Sequence, residues 1–600
     1  MCKRWSSCTF DSSRAPTSPP PPSFSSPSLF PRYRLSFYSQ HIMKPPTITT
    51  TLLSLLPFTL SHPPPPTPHP SQSRPRPLQP LPPAAPPPPR LRPLPQLLSH
   101  PSPPLGTFGQ RYWYSTEWYS GPGAPIILFN PGEQDASNFD EAYLSNQRLP
   151  GRIAQAVGGA VVVVEHRYYG ESSPFEELTE ENLRHLTLEN ALRDMQYFAR
   201  EWDVLKEAGN GTGKGGPAWI YTGGSYAGSL ATWLSRLEEK EGEEGKERAF
   251  FAYYGSSAVV EAIGDFWQYF VPVLEAMPKN CTRDVERVVV FADGVLGGGT
   301  EGEKEGLKEK FGLGGLEDED FAAELTWGLA SLQTTQFYSE KNIGYSPFYR
   351  FCDYVEGMYP VDPNATVPGE DGVGLEKALE GYARYIKEDV VPGFCAKSGY
   401  PEWQDENSTL CLQNMNASSL AFTDLSVKNW GNRQWWWLLC NEPFEWWQSA
   451  PPLSSSYPRV ISEYVTAEYW ASLCPRFFPN TTYTLAEGKT AGDVNVRTGG
   501  WDLTSNVTRT MNTNGQYDPW RDATLSSTFR PGGLVTEMEK DGLQVRLVKG
   551  GTHCSDLVGL NWEANAELDG LVDGVVDQLA WWIGQYHSDA YDRIRNTTRK

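Results

Sequence analysis

Apolar and polar positions divide the chain into two unlike parts. Up to Leu105 the apolar residues are scattered among prolines, whereas from Thr107 onward they gather into runs with recognisable periods. Pro125-Ile126-Ile127-Leu128-Phe129-Asn130, Ala160-Val161-Val162-Val163-Val164-Glu165, Ala218-Trp219-Ile220-Tyr221-Thr222 and Phe250-Phe251-Ala252-Tyr253-Tyr254 are short apolar runs bounded by glycine, proline or charge. Runs of this kind predict strands buried on both faces, the habit of a mainly parallel sheet. Between the second and third, Leu188, Leu192, Met195, Phe198 and Trp202 recur three or four residues apart, the stripe of an amphipathic helix. Val507–Met511 and Leu543–Val548 predict two more strands, and Leu568–Tyr586 a closing helix. Strands alternating with helices predict an α/β architecture with helices on both faces of the sheet. Residues 263–430 break the alternation: helical spacing recurs, as in Asp265–Leu274 and Leu375–Ile386, and Gly- and charge-rich segments (Gly297–Gly306, Gly312–Asp320) interrupt it. The economical expectation is a helical insertion (263–430) within a sheet domain formed by 106–262 and 431–590. No internal repeat is visible.

Composition separates the N-terminal part further. Thirty of the 52 prolines precede Leu105, and that stretch has ten basic residues against one acidic. The chain as a whole carries −21, so the part that folds is more acidic still. An acidic chain lacks the basic footprint that nucleic acids and anionic membranes require, so neither is expected as a partner. With 39% hydrophobic residues and 13% aromatic ones, the folded part has ample material for a large core.

Met43 and Lys44 are followed by Ile48, Leu52, Leu53, Leu55, Leu56, Phe58 and Leu60, a charged start and an apolar run of signal-peptide length, too short for a membrane anchor. We read residues 1–42 as an extension ahead of the true start, 43–61 as the signal, and 62–105 as an extended proline-rich linker, because proline has no amide donor and a fixed φ. Eight Asn-x-Ser/Thr triplets, at Asn210, Asn280, Asn364, Asn407, Asn416, Asn480, Asn506 and Asn596, all follow that signal. Cys281, Cys352, Cys395, Cys411, Cys440, Cys474 and Cys554 lack the paired short spacings of a zinc site, so disulfides in an oxidising compartment are expected. Seven is odd, which leaves at least one thiol outside an internal bridge; the pairing is not legible. These features together predict a secreted or vacuolar (lysosomal) glycoprotein. Nothing in the sequence calls for a metal or a cofactor.

The chemistry centres on Thr222-Gly223-Gly224-Ser225-Tyr226-Ala227-Gly228, which follows the third predicted strand and enters a plausible helix, Ser229–Leu237. A strand–Gly-x-Ser-x-small–helix passage is a nucleophile elbow: the serine sits on a strained turn, and its neighbours must be small where strand and helix pass closely. Gly223, Ala227 and Gly228 meet that need, and the helix N-terminus favours a developing oxyanion. A serine nucleophile needs a base. His166, His185, His553 and His587 are the histidines of the sheet domain, and the order nucleophile–acid–histidine of α/β-hydrolases leaves the last two. His553 lies in a Gly-rich loop directly after a predicted strand, where such a scaffold presents reactive groups; His587 ends the closing helix, where a histidine complements the helix dipole. Asp518, in Asn514-Gly515-Gln516-Tyr517-Asp518-Pro519-Trp520 after another strand, is the candidate acid, ahead of Asp502 and Asp522. Oxyanion donors are expected from the Tyr226 amide and from Gly132 or Glu133, since Pro131 has no N–H.

Four blocks then occur in order: Glu165-His166-Arg167-Tyr168-Tyr169-Gly170-Glu171-Ser172, Gly223-Gly224-Ser225-Tyr226-Ala227-Gly228, Asn514-Gly515-x-x-Asp518-Pro519-Trp520 and His553-x-x-Asp556-Leu557. With Gln434-Trp435-Trp436-Trp437-Leu438-Leu439-Cys440-Asn441-Glu442 they resemble the serine peptidase family of lysosomal Pro-X carboxypeptidase, dipeptidyl peptidase II and fungal acid prolyl endopeptidases, over about Phe108 to Tyr586. The resemblance implies an α/β-hydrolase fold with a mainly helical cap between nucleophile and acid. It implies cleavage after proline by Ser225, Asp518 and His553, peptide or protein substrates containing proline, and homodimers among the relatives. The long Gly/Glu-rich segments of the insertion depart from the family and leave the cap's shape, and so endo-, carboxy- or dipeptidyl-peptidase action, open.

Further residues are candidates for substrate contact. Glu133 and Glu442 are carboxylates of the sort that bind a substrate amine, and Trp436 and Trp447, from a block that also holds Trp430, Trp435, Trp437 and Trp446, have flat faces suited to a proline ring. Packing under the insertion is the plainer role for most of these tryptophans. His166 and Arg167 read as a buried polar pair fixing a loop. Three alternatives stand beside the prolyl peptidase. Another serine carboxypeptidase group has a similar Gly-x-Ser-Tyr elbow, but Gly224 stands where its glutamate is expected. An esterase or lipase lacks a recognisable lipid-facing lid here, and a catalytically dead adhesion module would be expected to have lost a triad member.

Overall fold

The computed structural model describes residues 93–202, 216–360, 365–505, 507–535 and 539–597. The proposed extension, the signal, most of the linker and the sequons at Asn210, Asn364 and Asn506 lie outside the described residues, as do the side chains of His587 and Asn596.

A seven-stranded sheet organises the molecule. After a short antiparallel pair, β1 (Leu94–Leu97) and β2 (Thr107–Gln110), come β3 (Tyr112–Ser115), β4 (Ile126–Asn130), β5 (Ala160–Val164), β6 (Trp219–Gly224) and β7 (Ala252–Ser256). The small strands β8 (Ile263–Asp265) and β9 (Glu445–Trp447) pair with each other, and β10 (Thr510–Gly515) and β11 (Leu543–Val548) complete the set. The large sheet runs β11-β10-β7-β6-β4-β5-β3, parallel throughout except for β3, which lies antiparallel on β5. This is an α/β-hydrolase fold.

The apolar runs explain the sheet. Every residue of β4, β5 and β7 is buried, as strands sandwiched between two helical layers must be. Alternate side chains serve different layers: Leu128, Val162 and Val164 pack into one core with Met195 and Phe198, while Ile127, Val161 and Val163 pack into the other with Leu579 and Trp582. Helix Leu188–Glu201, capped by the Thr187 side chain, covers the first face; the closing helix Ala566–Thr597 covers the second. Among the described residues no helix is long and apolar enough to cross a membrane.

Three boundaries differ from those expected. The folded part starts before residue 105: Gln96 is fully buried and bonds the Gln110 side chain and the Asp194 carbonyl, while the Leu97 and Leu98 carbonyls accept from Arg167. Proline is tolerated there because β1 pairs on one side only. Gly297–Gly306 does not interrupt helical structure for long. Helix Lys279–Gly298 runs into it, and Thr300 with Glu303 forms a capping box that starts Glu301–Lys310. The insertion does not end at 430 either. The Trp-rich run forms helix Arg433–Asn441, β9 pairs outside the large sheet, and that sheet resumes only at Thr510. Periodicity alone cannot show which layer a buried helix joins.

Disulfides link Cys281–Cys352, Cys395–Cys411 and Cys440–Cys474, all between β7 and β10, and Cys554 is free and buried.

Candidate active site

Parallel strands of the large sheet deliver the candidate residues at their carboxyl ends, the edge where a doubly wound sheet presents its chemistry. Ser225 follows β6 and immediately precedes helix Tyr226–Glu243; Asp518 lies three residues past β10, and His553 five past β11. Ser225 has φ 57° and ψ −127°, a left-handed conformation that costs a non-glycine residue about 1–3 kcal/mol and persists only where its surroundings enforce it. They do so here through close packing. A Cβ on Gly223 would come 2.4 Å from the Ala227 carbonyl oxygen, one on Gly228 2.7 Å from that of Ser256, and the Ser225 amide donates to the same Ser256 oxygen at 2.8 Å. The small residues around the serine are thus required by contact distance. Tyr226, first in its helix, has an amide among those a helix leaves without an internal partner, and it adjoins Ser225.

The acid and the histidine share one interlocked pair of loops. Gly515 lets them meet: a Cβ there would lie 2.4 Å from the Thr552 oxygen and 2.6 Å from that of Gly551. Tyr517 donates its amide to Gly551 at 2.8 Å, and Gly550 donates to the Gln516 side chain at 2.9 Å. His553 Nδ1 then stands 3.0 Å from both Asp518 carboxylate oxygens, with both residues essentially fully buried. Burial opposes the imidazolium, yet the adjacent Asp518 carboxylate holds His553 well above its ordinary pKa. His553 Nε2 is buried and has no hydrogen-bond partner among the described residues. The insertion grips this loop from above, Gln336 donating to the His553 carbonyl at 3.1 Å and Thr552 to that of Thr335.

Ser225, His553 and Glu133 line one small cavity of about 20 Å³, closed by Phe129, Tyr143 and Leu557. Glu133 is 4% exposed, and burial pushes its carboxyl up to about 8. Its position follows from the loop after β4, where Gly132 turns at φ 73°. The Gly132 amide donates to Asn130 Oδ1 at 2.7 Å, so it is engaged within its own loop. Glu442 is elsewhere: its buried carboxylate is engaged by Arg497 at 2.5 Å. Trp436 and Trp447 stack on each other with centroids 5.8 Å apart, and Trp436 stacks on Phe477 as well. The described residues lining the cavity include neither tryptophan, nor Glu442. His166, fully buried with its pKa lowered to about 4 by burial, is a neutral acceptor for the Tyr226 hydroxyl at 3.3 Å and fixes the residue after Ser225. Arg167 pairs with Asp194. Both keep the structural role expected.

Two supports escaped the sequence reading. Gln336 lies in the insertion, far along the chain, and no local pattern marks it. Asp556 stands in the His553-x-x-Asp556-Leu557 block; it is buried and accepts from the Tyr254 and Ser256 hydroxyls at 2.5 and 2.6 Å, tying the histidine loop to β7. That block was the available signal.

The family model for "Serine carboxypeptidase S28" matches residues 104–319 and 396–570. The chain belongs to the serine carboxypeptidase S28 family. It is a serine-type peptidase of that family, and the two matched segments contain all three candidate residues. It is 34% identical over 503 residues to "Serine protease vicPb" of Bipolaris victoriae, covering 82% of this chain and 89% of that protein. It is 28% identical over 437 residues to the "Probable extracellular serine carboxypeptidase" of Arthroderma benhamiae, covering 70% of this chain and 56% of that one. Among solved structures, esterase Est22 aligns over 82% of this chain and 80% of that chain at 11% identity, with a TM-score of 0.28.

Proposed function

We propose that this S28 peptidase hydrolyses peptide bonds after proline through an acyl-enzyme on Ser225, with His553 as general base and Asp518 as its orienting acid. The observation that carries the reading is His553: Nδ1 is held by both oxygens of Asp518 at 3.0 Å, while unpartnered Nε2 belongs to a side chain lining the same cavity as Ser225. A histidine so held donates from Nδ1 and keeps Nε2 as the base, ready to take the serine proton and return it to the leaving amine. The Tyr226 and Glu133 amides are the proposed oxyanion donors. The preference for proline rests on the family resemblance of the Asp518-Pro519-Trp520 and His553 blocks.

Secretion or vacuolar delivery belongs to the same proposal. Three disulfides, the exposed sequons Asn407, Asn416 and Asn480, and the name of the Arthroderma relative support it. Digestion of a peptide library followed by mass spectrometry tests the specificity and separates terminal from internal cleavage. Cuts concentrated after proline are expected; cuts indifferent to proline would contradict the reading, and no cleavage at all would favour a catalytically dead module.

A further inference from the structure

Two atoms near Ser225 share an unusual condition. Glu133 Oε1 and His553 Nε2 belong to side chains 4% and 1% exposed, and neither atom has a hydrogen-bond partner among the described residues. Leaving a buried polar group unpaired costs about 1–3 kcal/mol, and both side chains line a cavity that also reaches Ser225. The cavity's size decides what it suits. Its volume of about 20 Å³ exceeds the roughly 10–15 Å³ one water requires and is far below the hundreds of Å³ of a ligand pocket. A proline ring or a terminal carboxylate does not fit there. One water fits that volume, and unpaired Oε1 and, in neutral His553, Nε2 are each able to accept one of its hydrogens, its lone pairs being left for a carbon held on Ser225.

We propose that Glu133 is a catalytic residue of deacylation, its Oε1 orienting the water that hydrolyses the acyl group carried by Ser225. This rests on the acyl-enzyme reading and specifies its second half. The water oxygen bonds to the acyl carbon as His553 Nε2 takes a water proton, and the carbonyl electron pair moves onto the oxyanion. On collapse the bond from that carbon to Ser225 Oγ breaks, Oγ recovers the proton from His553, and the acid product leaves. Glu133 neither gains nor loses a proton; it only accepts. Burial pushes the carboxyl up to about 8, and on either side of that pH the group keeps an acceptor oxygen for the water. A glutamine side chain offers the same acceptor.

The test uses the full chain, with rates referred to sites titrated by a fluorophosphonate. A p-nitrophenyl ester of an N-blocked proline gives the acylation burst and the steady-state deacylation rate, and added hydroxylamine competes with water for the acyl-enzyme. Glu133→Gln is expected to deacylate within about threefold of wild type. Glu133→Met is expected to deacylate at least about tenfold more slowly, with acylation nearly unchanged and partition shifted towards hydroxylamine. Should Glu133→Met fail to fold, Glu133→Asp, which draws the acceptor back by one methylene, is expected to shift both readouts the same way. Acylation and deacylation falling in parallel, an unmoved partition ratio, or a Glu133→Gln enzyme as impaired as Glu133→Met would overturn the assignment. A loss confined to acylation would place Glu133 in substrate binding and overturn it equally. Absence of any acyl-enzyme in wild type is a separate result: it would remove the reading on which the assignment rests.

Discussion

Ser225 is held at a positive φ by neighbours that admit no larger side chain, and His553 is held by a carboxylate that meets it with both oxygens. In the proposed mechanism nucleophile and base act as a unit, so His553→Ala is expected to lower kcat by on the order of 10⁴ or more. Asp518→Asn keeps the shape but favours the wrong imidazole tautomer, with an expected loss of about 10³–10⁴. Steady-state kinetics on titrated protein check both; near-normal turnover by either variant would contradict the roles given. Both residues could be picked out in the sequence because each follows a readable strand by a few residues and the chain order left few histidines. Glu133 was readable as a candidate oxyanion donor and amine-binding carboxylate but not as a buried one, and the engagement of the Gly132 amide was invisible. Burial of one and capture of the other by Asn130 arise when the loop after β4 folds back on itself.

Elements buried on both faces were the most legible. β4, β5, β6 and β11 lie where continuous apolar runs put them, and helix Leu188–Glu201 follows its stripe. β7 and β10 begin two or three residues later than expected, because the sheet register, set by β6 and by each other, selects which part of a run pairs. The edge strand β3, Tyr-Trp-Tyr-Ser with every residue half-buried, carries no alternating pattern, and β1 is masked by its prolines. The insertion's true reach depended on helices buried against each other. Its stability owes much to the disulfides. Closing a loop of 16 residues is worth about 3 kcal/mol in the chain-entropy model, and one of 71 residues somewhat more. Calorimetry is therefore expected to show a larger drop in Tm for Cys281→Ser/Cys352→Ser than for Cys395→Ser/Cys411→Ser. The reverse order would mean that strain or residual structure outweighs loop length.

Across the whole molecule, burial has the same effect on a set of carboxyls. It pushes Glu133 up to about 8, Glu261, Asp320 and Glu356 to about 7, and Asp556 to about 6. The folded chain therefore holds protons in the interval from about pH 4 to 8 that the unfolded chain has released. Linkage then gives a stability that falls as pH rises through that interval, and the overall charge of −21 adds repulsion in the same direction. Below about pH 4 the paired carboxylates such as Asp194 and Asp318, whose pKa values are lowered, reverse the trend as they are protonated. Thermal melts are expected to give a higher Tm at pH 5 than at pH 8; an equal or inverted order would show that these carboxyls ionise freely in the fold.

Catalysis as proposed requires a nucleophile at residue 225, and covalent labelling addresses that directly. A biotinylated fluorophosphonate followed by peptide mapping is expected to modify wild-type protein once, on the peptide containing Ser225, and to leave Ser225→Ala unlabelled. Labelling at another serine, or labelling that survives Ser225→Ala, would contradict the account.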